Sequence, residues 1–149
     1  MTNPEFRFDE TPISPLMFIE ASAGTGKTYT LQRLVLRFIV EKSIPIESFL
    51  IVTYTEAATA ELSGRVREIL GRAVLGLSPG SESKLTEPER KEFKKLRDKW
   101  THDGITLEEA LDRVRRSLEE FDRCAIYTIH SFCRKMLESW AFSGGNPFG

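Results

Sequence analysis

The residues best placed to do chemistry are Ala21, Ser22, Ala23, Gly24, Thr25, Gly26, Lys27 and Thr28, an uninterrupted ASAGTGKT behind the apolar run Leu16-Met17-Phe18-Ile19. Binding an anion with backbone requires a turn whose N–H groups converge on one point. Gly24 and Gly26 allow the φ values and the close approach that such a turn needs. Lys27 brings a positive charge to the β- and γ-phosphates of a nucleotide, Thr28 offers a hydroxyl to Mg²⁺, and the helix starting here points its N-terminal dipole at the same phosphates. The usual form of this loop begins with glycine, where this chain has Ala21, a residue small enough to make the turn. The plain alternative is a glycine-rich strand-to-helix turn with a surface lysine, which leaves the Lys27-Thr28 pair at the helix start unexplained.

Two further stretches lie where a parallel α/β sheet presents its ligands, beyond the carboxyl ends of strands. One is Thr53-Tyr54-Thr55-Glu56-Ala57-Ala58 and the other Thr128-Ile129-His130-Ser131-Phe132-Cys133. An aromatic ring, hydroxyls and a helix N-terminus together can stack a base and bind a phosphate. Singly, Tyr54 is also consistent with a half-buried strand residue, and His130 with a residue that supports its helix.

These stretches need a scaffold, and the periodicity supplies one. Leu31, Leu34, Val35, Phe38 and Ile39 form the buried stripe of a helix from Lys27 to Lys42, stopped by Pro45. Phe49-Leu50-Ile51-Val52 suits a strand buried on both faces. From Thr55, a natural cap, Leu62, Val66, Ile69, Leu70, Ala73 and Leu77 repeat at helical spacing. After the loop Ser78–Lys84, two helices open with capping boxes, Thr86 with Glu89 and Thr106 with Glu109. The first would bury Phe93, Leu96 and Trp100, the second Leu107, Ala110, Leu111, Val114, Leu118 and Phe121. Cys124–Ile129 reads as another strand, and Phe132, Met136, Leu137 and Trp140 as the buried side of a last helix. With a first strand near Leu16 the order is β-α-β-α-(αα)-β-α, an α/β parallel sheet with crossover helices.

The chain has 149 residues, 40% hydrophobic and 29% charged, the size and composition of one globular domain. Its net charge of −1 gives no overall attraction to nucleic acid, so any such contact must be local. Residues 1–15, with three prolines, read as an irregular lead-in. The lead-in has no signal-peptide pattern, and no apolar run reaches membrane-spanning length, so a cytoplasmic location with no membrane partner is expected. Cys124 and Cys133, with His130 beside them, are too few for a zinc site and read as reduced, buried thiols. The tail SGGNPFG closes on neither a helix cap nor a strand, a pattern shared by a piece cut from a longer chain and by a natural flexible end.

Taken in order, EASAGTGKT (20–28), FLIVTYTEAATAELSGRVR (49–67) and YTIHSFCRKML (127–137) resemble the first motifs of superfamily 1A DNA helicases of the UvrD/Rep type, nearest to the RecB-like helicase-nucleases. The resemblance implies a P-loop NTPase (RecA-like) fold, present in part: residues 16–149 would be the N-terminal portion of the ATP-binding motor domain, with a two-helix insertion at about 86–122. It implies ATP and Mg²⁺ on residues 21–28, with Lys27 and Thr28 catalytic and Thr28 on the metal. It places single-stranded DNA along Thr53, Tyr54, Thr55, Thr128 and His130, and it implies duplex DNA and RecC-like and RecD-like subunits as partners in double-strand break repair. The family's Asp-Glu pair at a strand end is not found in this chain, nor are its arginine fingers, its nuclease residues or a clear glutamine motif for adenine. Arginine fingers alone contribute about 10³ to 10⁵ in rate in related phosphoryl transfers, so this chain alone should turn over little. A stand-alone P-loop ATPase or kinase unrelated to DNA, and a degenerate loop used only as an interaction surface, are the competing readings.

Overall fold

The computed structural model describes residues 7, 10–20 and 26–143. Five helices and two strands follow in the order α1 (Lys27–Lys42), β1 (Leu50–Thr53), α2 (Glu56–Leu77), α3 (Glu87–His102), α4 (Leu107–Glu119), β2 (Ala125–Thr128) and α5 (Ile129–Ser143). The strands pair in parallel, Leu50 opposite Ala125 through Thr53 opposite Thr128, so both end at the same level. The fold is therefore α/β, with a sheet of two strands and a mostly helical body.

The core lies among helices rather than on the sheet. Val35, Leu36, Ile39 and Val40 of α1 meet the predicted stripe of α2, and Phe93, Leu96 and Trp100 of α3 with Ala110 and Val114 of α4 close it. Ile51 is the one strand residue in that buried cluster. Both capping boxes form: the Glu89 carboxylate accepts from the Thr86 N–H at 2.7 Å, and the Glu109 carboxylate accepts from the Thr106 N–H at 2.9 Å.

Several expectations need correction, among them the burial of Leu107, which is exposed at the start of α4. Leu16–Ile19 is not a strand, and Leu16 and Phe18 are 89% and 91% exposed. An apolar run announces burial but not a partner, and the described sheet pairs only β1 with β2. β1 is buried on one face, since Leu50 and Val52 are exposed beside buried Ile51. The buried face of α1 is rotated from the predicted stripe: Leu31 is exposed, Leu34 and Phe38 are half-buried, and Arg33, Leu36, Arg37 and Val40 lie inside. It turns that way because α2 and α4 pack against it. On α5, Met136, Leu137 and Trp140 are exposed, because that helix rests mainly on β1 and β2. The lead-in touches α1: Arg37 donates to the Thr11 carbonyl at 2.7 Å. No helix among the described residues is long and apolar enough to cross a membrane.

Packing decides the sign of one helix substitution. A Cβ on Gly76 of α2 would sit 2.6 Å from the Phe93 ring, whereas Gly64 and Gly71 of the same helix have nothing within 4 Å. Gly76→Ala is expected to lower stability by about 1–3 kcal/mol through overpacking. Gly64→Ala and Gly71→Ala are expected to raise it by about 0.5–1 kcal/mol through helix propensity. Urea unfolding of the three variants checks this, and equal stability for Gly76→Ala and Gly64→Ala would contradict the packing.

Candidate functional site

At the start of α1, Gly26 adopts φ +88°, a left-handed conformation that favours glycine, and serves as the N-cap residue with no side chain to offer. The first turn contains no acidic residue, whereas α2, α3 and α4 each place a glutamate there. Lys27 is exposed and Thr28 half-buried. This helix end keeps its positive dipole, adds a lysine and places no carboxylate in its own first turn, which suits an anion. Ala21, Ser22, Ala23, Gly24 and Thr25 lie outside the described residues.

A charged anchor that the sequence reading missed ties α1 to α3. Arg33 on α1 and Glu92 on α3 form a two-bonded ion pair, with Nε to Oε1 at 2.5 Å and Nη2 to Oε2 at 2.8 Å, and both side chains are nearly buried. Tyr29 donates its hydroxyl to the same carboxylate at 3.1 Å and lies flat under the guanidinium at 3.2 Å. Burial, then the Glu92 charge, pushes the Tyr29 phenol above its ordinary value. One turn further on, Arg37 pairs with Glu41, which also accepts from the Trp100 indole at 3.1 Å. The available signal was an arginine repeat at i, i+4 inside an apolar stripe, followed at i+4 by Glu41.

At the sheet end the two predicted stretches come together, because β1 and β2 stop in register. Tyr54 is 86% exposed, so its ring belongs to no core. Thr55 is exposed and caps α2 by accepting from the Ala58 N–H at 3.1 Å. Thr53 is half-buried, its hydroxyl bonded to Thr59 at 2.5 Å and to the Thr55 carbonyl at 3.2 Å. Thr128 is 4% exposed; its hydroxyl oxygen accepts from the Ser131 N–H at 3.1 Å and lies 3.3 Å from the Glu56 carboxylate. His130 is exposed in the first turn of α5. Of the five residues, Tyr54, Thr55 and His130 face solvent, while the hydroxyls of Thr53 and Thr128 are engaged within the protein. Lys135 lies 4.8 Å over the Tyr127 ring and donates to its hydroxyl at 2.6 Å. Cys133 is exposed, against expectation, and Cys124 is half-buried, its thiol pushed up by burial.

The edge therefore offers an open aromatic ring, an imidazole and the first amides of two helices, groups that stack bases and bind phosphates. Neither β1 nor β2 is followed by an Asp-Glu pair that could hold Mg²⁺ and orient water.

A family model described as the UvrD/REP helicase N-terminal domain matches residues 3–146. The chain is 36% identical over 154 residues to the RecBCD enzyme subunit RecB of Haemophilus influenzae, covering 92% of the chain and 12% of that relative. It is 34% identical over 146 residues to the same subunit of Escherichia coli, covering 92% of the chain and 11% of the relative. To that of Chlamydia trachomatis it is 39% identical over 127 residues, covering 85% and 12%. The chain thus spans about an eighth of the length of the curated relatives it matches.

Proposed function

The chain belongs to the UvrD/REP helicase N-terminal domain family, and from that premise we propose that it is the nucleotide-binding end of the first motor domain of a RecB-like DNA helicase-nuclease subunit. The parent would couple ATP hydrolysis to movement along single-stranded DNA in break repair, together with RecC-like and RecD-like subunits. One observation carries the reading: an uncapped, acid-free helix start bearing Lys27 and Thr28 occurs in one chain with two parallel strand ends that meet in register under an exposed Tyr54.

The donor set at α1 fits ATP with Mg²⁺. Residues 21–28 would hold the phosphates, Lys27 would face the β- and γ-phosphates, and the Thr28 hydroxyl would reach the metal. Bound Mg²⁺ would supply the charge neutralisation that phosphoryl transfer needs. At the strand ends, Tyr54 would stack on a base and the first amides of α2 and α5 would face backbone phosphates. Thr53 and Thr128 would support that surface through the hydrogen bonds described above.

Lys27→Ala is expected to weaken binding of a fluorescent ATP analogue by about 1.5–3 kcal/mol, on the order of tenfold to a hundredfold. Equal affinity for variant and wild type would remove the nucleotide site. Tyr54→Ala is expected to leave stability within about 0.5 kcal/mol, as for an exposed residue. It should cost about 1–3 kcal/mol of single-strand affinity, most of which Tyr54→Phe should retain because the ring face survives. Fluorescence anisotropy with oligothymidylate reads the affinity, and unchanged binding by Tyr54→Ala would refute the stacking role.

A further inference from the structure

We propose that Glu56 is a positioning residue: its carboxylate brackets the first turn of α5 to the first turn of α2, so that two helix N-termini face one phosphate-bearing strand at a fixed spacing. The inference rests on the single-strand reading above for what the bracket serves, but the bracket itself is drawn from geometry. Glu56 is the first residue of α2, and its Oε1 lies 3.3 Å from the Thr128 hydroxyl and 3.3 Å from the Ser131 hydroxyl. The Ser131 N–H donates to the Thr128 oxygen at 3.1 Å, and the two hydroxyl oxygens are 2.9 Å apart. Every proton has a place in this arrangement: the Thr128 hydroxyl donates to the Ser131 hydroxyl, the Ser131 hydroxyl donates to the carboxylate, and the Thr128 oxygen accepts from the Ser131 amide.

The arrangement matters because, besides the two strands and the Lys135–Tyr127 contact, it is what ties α5 to another helix among the described residues. Helix α5 leaves β2 without an intervening loop, rests mainly on the two strands, and exposes Met136, Leu137 and Trp140. Thr128 is buried and ends β2, so the hydroxyl that Glu56 engages through Ser131 is itself rigidly held. The carboxylate therefore joins a strand end and a helix start that are 72 and 75 residues away along the chain. It leaves to a ligand the amides at the open ends of both helices, Thr55 having taken that of Ala58 and Thr128 that of Ser131. A carboxylate beside a DNA phosphate would otherwise be unfavourable, and its engagement with the Ser131 hydroxyl, and through it with Thr128, gives it a structural role that offsets the repulsion.

The test compares Glu56→Ala with Glu56→Gln in the full chain, because the glutamine oxygen can still accept from the Ser131 hydroxyl while the charge is gone. Glu56→Ala is expected to weaken oligothymidylate binding about fivefold, the loss of one ordinary hydrogen bond, and Glu56→Gln to stay within about twofold of wild type. Thr128→Val, which also removes the acceptor of the Ser131 N–H, should weaken binding at least as much as Glu56→Ala, and the double variant should be no weaker than Thr128→Val alone. Hydrogen exchange of the first amides of α5 should accelerate in Glu56→Ala and Thr128→Val and remain slow in Glu56→Gln. Equal tightening of binding by Glu56→Ala and Glu56→Gln would show a mere charge effect and overturn the proposal, as would unchanged exchange in Glu56→Ala. A wild-type chain that does not bind oligothymidylate would strike the single-strand reading instead, and the exchange comparison would then decide the bracket alone.

Discussion

Trp100→Ala is expected to lower the unfolding free energy by about 3–5 kcal/mol, the range for a large aromatic truncated in a core. Trp100 is fully buried on α3 and is the largest side chain in the helical core. Its removal opens a cavity that α1, α3 and α4 cannot collapse into without moving the Arg37–Glu41 pair. The indole N–H also donates to Glu41 at 3.1 Å, so truncation removes one partner of a half-buried carboxylate. Domains of this size are stable by only about 5–15 kcal/mol, so a fifth or more of the total would be lost. Trp100→Phe keeps most of the apolar volume, loses the donor, and should cost about 1–2 kcal/mol. Urea unfolding midpoints with unchanged slopes measure both, and a Trp100→Ala midpoint near wild type would contradict the packing.

The same network has a pH signature. Burial pushes the Glu41 carboxyl up, but the bonds from Arg37 and Trp100 and the charges of Arg37 and Lys99 outweigh it and hold the group below its ordinary value. A carboxyl whose folded-state pKa is depressed contributes stability above its unfolded value, and that contribution is lost as pH falls through the folded one. The Glu41 contribution is therefore complete at neutral pH and fades in acid below the usual carboxylate range.

What could be read from sequence was local, and what could not was pairing. The bounds of α1, the caps at Thr55, Thr86 and Thr106, and the buried stripe of α2 follow from spacing and from residue types that satisfy helix ends. β1 and β2 were legible as short apolar runs, although not that Leu50 and Val52 would lie bare. Leu16–Ile19 failed because the strand pattern is the same with or without a neighbour to pair with. At the candidate site, the stretches 53–58 and 128–133 were placed correctly at strand ends, and their registration was not readable. Nor was the inward turn of Thr128, since a hydroxyl at a strand end looks the same whether it meets solvent or Glu56. Arg33, Arg37 and Glu92 were lost to the expectation that charges are solvated, an expectation that fails where a long-range partner exists.

That last failure gives the other large effect. Glu92→Ala is expected to cost about 3–5 kcal/mol, because it leaves the Arg33 guanidinium with 8% exposure and without its carboxylate. The loss measures a buried charge deprived of its carboxylate rather than the net value of the pair, since taking both ions out of water had already cost most of their attraction. Replacing both groups, Arg33→Met with Glu92→Leu, should therefore recover most of the stability even though the ion pair is gone. Tyr29 sharpens the comparison: it stacks on Arg33 and donates to Glu92, so each single change also disturbs the ring that sits two positions beyond Lys27. A double-mutant cycle by urea unfolding, with ATP-analogue affinity measured on every member, separates the two consequences. If the pair only stabilises, affinity per folded molecule is the same in all four proteins. If it also aims α1 at the phosphates, the apolar pair restores stability but not affinity, because Met and Leu fill the space between α1 and α3 without fixing the direction that two parallel N–H···O bonds impose. The two-bonded geometry and the position of Arg33 about two turns along the helix from Lys27 favour the second outcome.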